Sequence, residues 1–334
     1  MTSLSEIEEW LREDGQVGDG PVVFTPLTGG VSCEIYKVAQ GAKVFVLKRA
    51  LAQLRVAAEW KADVSRNATE YLFYHEMAEP LEGFVPRVLF HNPVRGYFLM
   101  EYLEEDWKNW KQEMLRGVMD VSYAQSAGEL MGKLHGGSWQ DGRMKKLFAT
   151  TANFRQLRTD PYLRTTAERL PEVRELLLAE ADRLENNPTC LVHGDFSPKN
   201  MLVKGTRILL LDAEVAWFGD PAFDIAFLHT HLFLKALHLP AQRARFLQMS
   251  ESAWTTYKNV MGDRVDETLE SHGARLLAML LLARVDGKSP VEYLNADQQA
   301  IVRNFFVRVV KKPFSRMDEI RNAWGTHLEQ LPNP

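Results

Sequence analysis

The sequence predicts an α+β fold in two lobes: a small N-lobe built on an antiparallel sheet and a larger, mainly helical C-lobe. Three observations predict it. Short alternating apolar runs separated by tight turns fill residues 22–49 and return at 85–103. Beyond Tyr123 the apolar residues recur mostly at helical spacing. Between the helices one polar segment, Leu191 to Val203, packs His, Asp, Lys and Asn between two strand-like runs. The chain of 334 residues is long enough for one large or two medium domains, and 46% hydrophobic with 25% charged residues is an ordinary globular composition.

Composition also excludes classes. A formal charge of −4 makes no electrostatic case for nucleic acid. No apolar run is long enough to cross a bilayer, and the acidic, amphipathic N-terminus is unlike a signal peptide, so a cytoplasmic protein is expected. The two cysteines, Cys33 and Cys190, have no metal spacing and suggest no disulfide framework. Nothing in the sequence speaks to oligomeric state.

Taken in order, Ser3 and Glu6 have the spacing of a capping box that starts a short helix. Val22 to Pro26, Cys33 to Val38 and Lys43 to Lys48 read as antiparallel strands, with turns at 28–32 and at Gln40-Gly41. A helix is expected over 57–79, then strands at 85–90 and 97–103. Ala124, Ala127, Leu130, Met131 and Leu134 mark a helix over 123–135, with His135 a core or capping residue. Further helices are expected at 171–186 and 276–285. His229 and His231 at i, i+2 do not share a helix face, which argues against a metal site. Asp286-Gly287 reads as a helix end, and Ser289-Pro290-Val291-Glu292 as a capping box starting the next helix.

The chemistry concentrates in Leu-Val-His193-Gly194-Asp195-Phe-Ser197-Pro-Lys199-Asn200-Met-Leu-Val, and in the run Ile208 to Leu211 that ends on Asp212. An Asp, an Asn five positions on and a second Asp closing an apolar strand are what phosphoryl transfer requires, because that reaction needs positioning and charge neutralisation rather than covalent help. Asp195 would sit beside the attacking hydroxyl. Asn200 and Asp212 would offer oxygen ligands to Mg²⁺, a hard cation that shares its shell with nucleotide phosphates. His193 reads as a brace. Lys48 lies on the strand face of Val44 and Val46, where a charge needs a partner, and it would meet the α- and β-phosphates and a helix carboxylate. The alternative is a strand-end Lys with its ammonium in solvent. The turn carrying Gly29, Gly30 and Ser32 would let backbone N–H groups approach phosphates, or it is simply a hairpin.

These motifs resemble the aminoglycoside phosphotransferase and choline kinase group of small-molecule kinases. That family's loop reads His-Gly-Asp with Asn five residues after the Asp, whereas protein kinases carry His-Arg-Asp and a Lys two residues after it. Gly194 and Ser197 stand at those two positions here. Asp212-Ala-Glu214, followed by Gly219-Asp220-Pro221-x-x-Asp224, is similar to the family's second motif. The resemblance covers roughly residues 20–240. It implies a two-lobed protein kinase-like fold with an N-lobe over 1–100, a hinge at 101–103 and a C-lobe over 104–334. It implies ATP as donor, with GTP the alternative, and Mg²⁺. It implies that Glu70, with Glu76 the fallback, pairs with Lys48, and that the backbone from Glu101 to Leu103 binds the adenine edge.

The acceptor expected is a small-molecule alcohol, aminoglycoside-, choline- or sugar-like, and not a peptide, since no long activation loop fits between Asp212 and Gly219. Glu104, Glu105 and Asp106 would suit an amine-bearing acceptor, and Trp107, Trp110 and Trp217 a quaternary amine. Arg155, Arg158 and Arg164 would suit an anionic one. Two other readings are a catalytically inactive nucleotide-binding regulatory protein on the same scaffold and a metal-dependent hydrolase using His193, Asp195 and Asp212. The first leaves four intact site residues unexplained, and the second leaves Asn200 without a role.

Overall fold

The computed structural model describes residues 3–27, 33–50, 66–310 and 312–331. These form two compact units, one of residues 1–78 and 86–105, the other of 79–85 and 106–334.

The first unit begins with α1 (Leu4–Glu13), whose capping box is formed: Glu6 N–H donates to Ser3 Oγ at 3.2 Å and Ser3 N–H to Glu6 Oε2 at 2.6 Å. Strands β1 (Val23–Pro26), β2 (Cys33–Gln40) and β3 (Lys43–Ala50), helix α2 (Arg66–Glu76), and strands β4 (Val88–Asn92) and β5 (Tyr97–Glu101) complete it. The sheet is antiparallel in the order β1-β2-β3-β5-β4. One face buries Val38, Phe45, Leu47, Tyr97 and Leu99 against Ile7 and Leu11 of α1. Successive strand residues point to opposite faces, so Val46, Lys48, Phe98 and Met100 line the other, and all four are buried. Val44, expected to share the apolar environment of Lys48, is exposed near the strand's start. Helix α2 ends at Glu76 rather than at 79, and residues 51–65, which include the expected start of the helix, lie outside the described residues.

The second unit comprises β6 (Lys108–Asn109), α3 (Trp110–Leu115), α4 (Val121–Gly137), α5 (Gly142–Leu147), α6 (Thr151–Phe154), a π-helix (Arg155–Arg164), α7 (Thr165–Arg169) and α8 (Arg174–Glu185). Strands β7 (Cys190–Val192), β8 (Met201–Lys204), β9 (Arg207–Leu210) and β10 (Trp217–Gly219) follow, then α9 (Ala222–His238), α10 (Arg243–Met261), α11 (Glu267–Asp286), α12 (Ala296–Val310) and α13 (Met317–Glu329). Residues 79–85 join this unit because Leu210 N–H donates to Phe84 O at 2.7 Å and Lys133 Nζ lies 4.8 Å from the Phe84 ring centroid. The boundary between the two units falls after Glu105. Helix α11 ends at Asp286. The next helix does not start at Ser289. Its reciprocal cap is Asn295 with Gln298, in which Gln298 N–H donates to Asn295 Oδ1 at 2.9 Å and Asn295 N–H to Gln298 Oε1 at 3.2 Å. No helix among the described residues is long and apolar enough to cross a membrane.

Candidate active site

In the first unit Lys48 is 3% exposed and Glu70 1% exposed. The ammonium donates to Glu70 Oε1 at 2.8 Å and lies 2.7 Å from Oε2, and Tyr74 Oη donates to Oε1 at 3.1 Å. The structure thus brings Lys48 together with Glu70, which lies in the first turns of α2; Glu76 ends that helix. Glu101 closes β5, and its Oε1 accepts from Arg87 N–H at 2.9 Å; Leu103 follows, half-buried. Gly29, Gly30 and Ser32 lie outside the described residues.

In the second unit the segment 193–200 connects β7 to the β8–β9 hairpin. The hairpin register pairs Met201 with Leu210, and Gly205 takes φ 60° at its two-residue turn, where a side chain would be strained. Leu211 N–H then donates to Asn200 O at 2.8 Å. That extension of the ladder places Asn200 opposite the residue before Asp212. Asp212 itself has φ 67°, a left-handed conformation tolerated by Asp and held in place by its surroundings. Asn200 Nδ2 donates to Asp195 O at 3.0 Å, which fixes the amide and leaves its oxygen as an acceptor. One neutral oxygen and one carboxylate on the two ends of a hairpin fit Mg²⁺, which completes its shell with phosphates and water.

The backbone of this loop hangs from Asp224, in the first turn of α9. Its Oδ2 accepts from His193 N–H at 2.7 Å and its Oδ1 from Gly194 N–H at 2.9 Å, while His135 Nε2 is 3.4 Å from Oδ2. His135 is held in turn by Tyr257 Oη at 3.0 Å. Gly194 has φ 74°, and a Cβ there would lie 2.8 Å from Val215 O, so only glycine fits. His193 is a brace: Asp195 N–H donates to its Nδ1 at 3.2 Å, and its Nε2 faces Leu211 O at 3.2 Å. Burial pushes the imidazole below its ordinary pKa against the pull of Asp224, Asp195 and Asp212, which suits the neutral form those two bonds require. Asp220 anchors the same region by accepting from Asn187 Nδ2 at 2.8 Å, from Ala222 N–H at 2.8 Å and from Arg183.

Asp195 is buried between two cations. Arg158 Nη2 is 3.0 Å and Lys199 Nζ 3.1 Å from its Oδ2. Burial raises the acid's pKa, but Arg158, then Lys199 and His193, more than reverse this and hold it well below the carboxylate range. Arg158 reaches Asp195 from the π-helix, whose widened turn also lets it donate to Gly194 O and, at 2.6 Å, to Leu157 O. Both partners escaped the sequence reading. Arg158 was a candidate only for meeting an anionic acceptor. Lys199 had one legible signal, its position four residues after Asp195.

Other expectations are overturned. Arg155 and Arg164 are tied to Glu185, Arg164 also to Asp182 at 2.7 Å, so neither is available to an acceptor. Trp110 and Trp217 are fully buried, the latter stacked on Phe154 at 3.9 Å, and Arg207 lies over the Trp107 ring at 5.3 Å. Asp106 pairs with Lys204 at 2.5 Å.

An antiparallel-sheet unit with a buried Lys–Glu pair, followed by a helical unit carrying an Asp–Asn–Asp loop, defines the class: a kinase-like α+β fold. The model of the phosphotransferase enzyme family matches residues 23–260, and the chain belongs to that family. Over 296 residues it is 26% identical to methylthioribose kinase of Yersinia pestis (strain Pestoides F), a match covering 76% of this chain and 72% of the relative. Among solved structures it is similar to amicoumacin kinase hAmiN in complex with AMP-PNP, Ca²⁺ and Ami (TM-score 0.54, 14% identity, 93% of this chain and 95% of that one). It is also similar to choline kinase LicA from Streptococcus pneumoniae (TM-score 0.51, 14% identity, 91% and 99%). The protein is a small-molecule phosphotransferase.

Proposed function

We propose that Asp195 holds the acceptor hydroxyl of a sugar-like small molecule in line with the terminal phosphoryl group of ATP. The observation that carries this reading is the Asp195 carboxylate, ionised and clamped by Arg158 and Lys199 in a loop whose backbone is fixed by Asp224. So acidic a carboxylate is a weak base. Its part is to accept the O–H hydrogen bond and aim the oxygen, which a loose phosphoryl-transfer transition state chiefly requires. As the new O–P bond forms, the bond to ADP breaks and the hydroxyl proton leaves past Asp195 to solvent. Lys48, oriented by Glu70, neutralises the α- and β-phosphates, and the backbone from Glu101 to Leu103 takes the adenine edge. Asn200 and Asp212 would hold Mg²⁺, which supplies charge neutralisation at the phosphates when bound. The half-exposed Lys199 adds a cation beside the transferred group.

The acceptor is sugar-like rather than choline-like. A quaternary amine calls for open aromatic faces and free acids, and Trp107, Trp110, Trp217 and Asp106 are otherwise engaged. The curated relative named for methylthioribose is consistent with this choice. The test is an ATP-consumption screen over sugars, polyols, amino alcohols and aminoglycosides, with product mass read directly. Asp195→Asn should bind ATP normally and lose transfer by about 10²-fold or more. Wild-type transfer rates in Asp195→Asn, or efficient phosphorylation of proteins alone, would overturn the proposal.

A further inference from the structure

Among the described residues, two buried cations of the second unit have no counter-anion. Lys235, on α9, is 0% exposed, and its ammonium has one hydrogen bond, to His231 O at 3.4 Å, with the Tyr293 ring centroid 5.5 Å away. Arg284, on α11, is 9% exposed. Its Nη1 donates to Tyr162 Oη at 3.2 Å, to Ser289 Oγ at 3.0 Å and to Ser289 O, while its Nε, though buried, has no partner. The Tyr293 hydroxyl is also buried and unpartnered. Among the described residues neither cation forms a salt bridge, and the acid nearest by charge, Glu292, is taken by Lys111. An interior that buries cations without anions is unfavourable unless something else supplies the charge. Burial, with Lys111 and Arg284 close by, pulls the Lys235 ammonium down to about 7, the behaviour of a cation site waiting for its anion.

The position of this pair connects it to the acceptor. Phe227, His231 and Lys235 recur every four residues and so share one face of α9. Phe227 lies under Arg158 at 5.9 Å, and Arg158 is the partner of Asp195. The His231 and Tyr162 rings meet Phe227 edge-on at 5.0 and 5.8 Å, and Tyr162 carries the bond to Arg284. The stripe thus runs from beneath the clamp on Asp195 to the cation pair over two helical turns, about 12 Å of helix.

Resting on the function proposed above, we infer that Lys235, Arg284 and the Tyr293 hydroxyl form an anion subsite for the acceptor, which is an alcohol bearing a carboxylate or a phosphate group. A carboxylate or phosphate oxygen would meet the ammonium, the open guanidinium Nε–H and the phenol O–H, completing all three.

The experiment sets acceptors in matched series: glucose, glucosamine, glucuronate and glucose phosphate, then glycerol, glycerate and glycerol phosphate. Wild-type turnover should concentrate on the carboxylates or on the phosphates, and which of the two names the group. Lys235→Met should then lower the kcat/KM ratio of the anionic acceptor to its neutral counterpart about tenfold or more, through KM, the loss of one charge-assisted bond; Lys235→Arg should restore part of it. If Lys235→Met does not fold, Arg284→Lys and the wild-type series carry the test. Best turnover on neutral or amine-bearing acceptors overturns the inference while leaving the phosphotransferase reading intact. So does an anionic preference that Lys235→Met and Arg284→Lys leave unchanged. Phosphorylation of no alcohol at all overturns both.

Discussion

Asp224→Asn isolates the anchor of the catalytic loop. The carboxylate receives two backbone N–H groups at 2.7 and 2.9 Å, from His193 and Gly194, and faces His135 at 3.4 Å, all fully buried. An amide of the same shape keeps one oxygen for one N–H and turns an NH₂ donor on the other. Hydrogen bonds to a charged acceptor are each worth about 1.5–3 kcal/mol, and an orphaned buried donor costs about 1–3 kcal/mol. One bond weakened and one lost therefore predict a destabilisation of about 3–4 kcal/mol, a large share of a total of about 5–15 kcal/mol. Urea unfolding, followed by far-UV circular dichroism, should show the midpoint lowered by roughly 1 M or more at unchanged slope. Because Gly194 precedes Asp195, kcat should fall with it even in buffer where the variant is fully folded. A midpoint within experimental error of wild type, or full kcat in the folded variant, would show that the loop is positioned by something else.

Two further outcomes follow from the same geometry. Asp195 is depressed in the folded state, so its ionisation favours the fold above the ordinary carboxylate range, at about pH 4, and that contribution is lost only as pH falls through the lower folded value. Arg158→Met removes the largest opposing charge, so an acid limb in the kcat profile should rise toward the ordinary carboxylate range, and superimposable profiles would show that Lys199 alone keeps Asp195 ionised. For the phosphate clamp, Lys48→Ala and Glu70→Ala should each weaken ATP binding and couple by about 1–3 kcal/mol in a double-mutant cycle, while Lys48→Ala with Glu76→Ala should be additive; the reverse pattern would transfer the pairing to Glu76.

Much of the fold was legible because its signals are local. Alternation and turn residues mark each strand of the first unit, and the box at Ser3 and Glu6 forms as spaced. The loop residues Asp195 and Asn200, and Asp212 beyond them, stood out as candidates in the sequence because their chemistry permits few substitutes. What stayed hidden depends on contacts remote in sequence. Arg158 reaches Asp195 from a π-helix, whose spacing matches no 3.6-residue pattern and which contains Pro161. Residues 79–85 are tied to the second unit by contacts remote in sequence, the backbone bond from Leu210 to Phe84 and Lys133 over the Phe84 ring. The motif at Ser289 satisfies the rule for a helix start, yet Arg284 takes the Ser289 oxygens. The helix begins instead at the competing Asn295–Gln298 cap. Aromatic residues carry no sequence mark of which are covered, so a tryptophan surface was expected where Trp110 and Trp217 are core.

The arrangement around Asp195 separates fixing the carboxylate from keeping it charged. Its backbone is set by neighbours: Asp195 N–H by His193, Asp195 O by Asn200, and the preceding N–H groups by Asp224 at the start of α9. Its charge is set by Arg158 and Lys199. Arg158 also feels the charges of Glu214 and Asp212. Asp195 stays ionised between these two cations. A group kept this acidic contributes by position, and position is what the segment from Asp220 to Asp224, leading into α9, supplies, through Arg183 and Asn187 on one side and the loop backbone on the other.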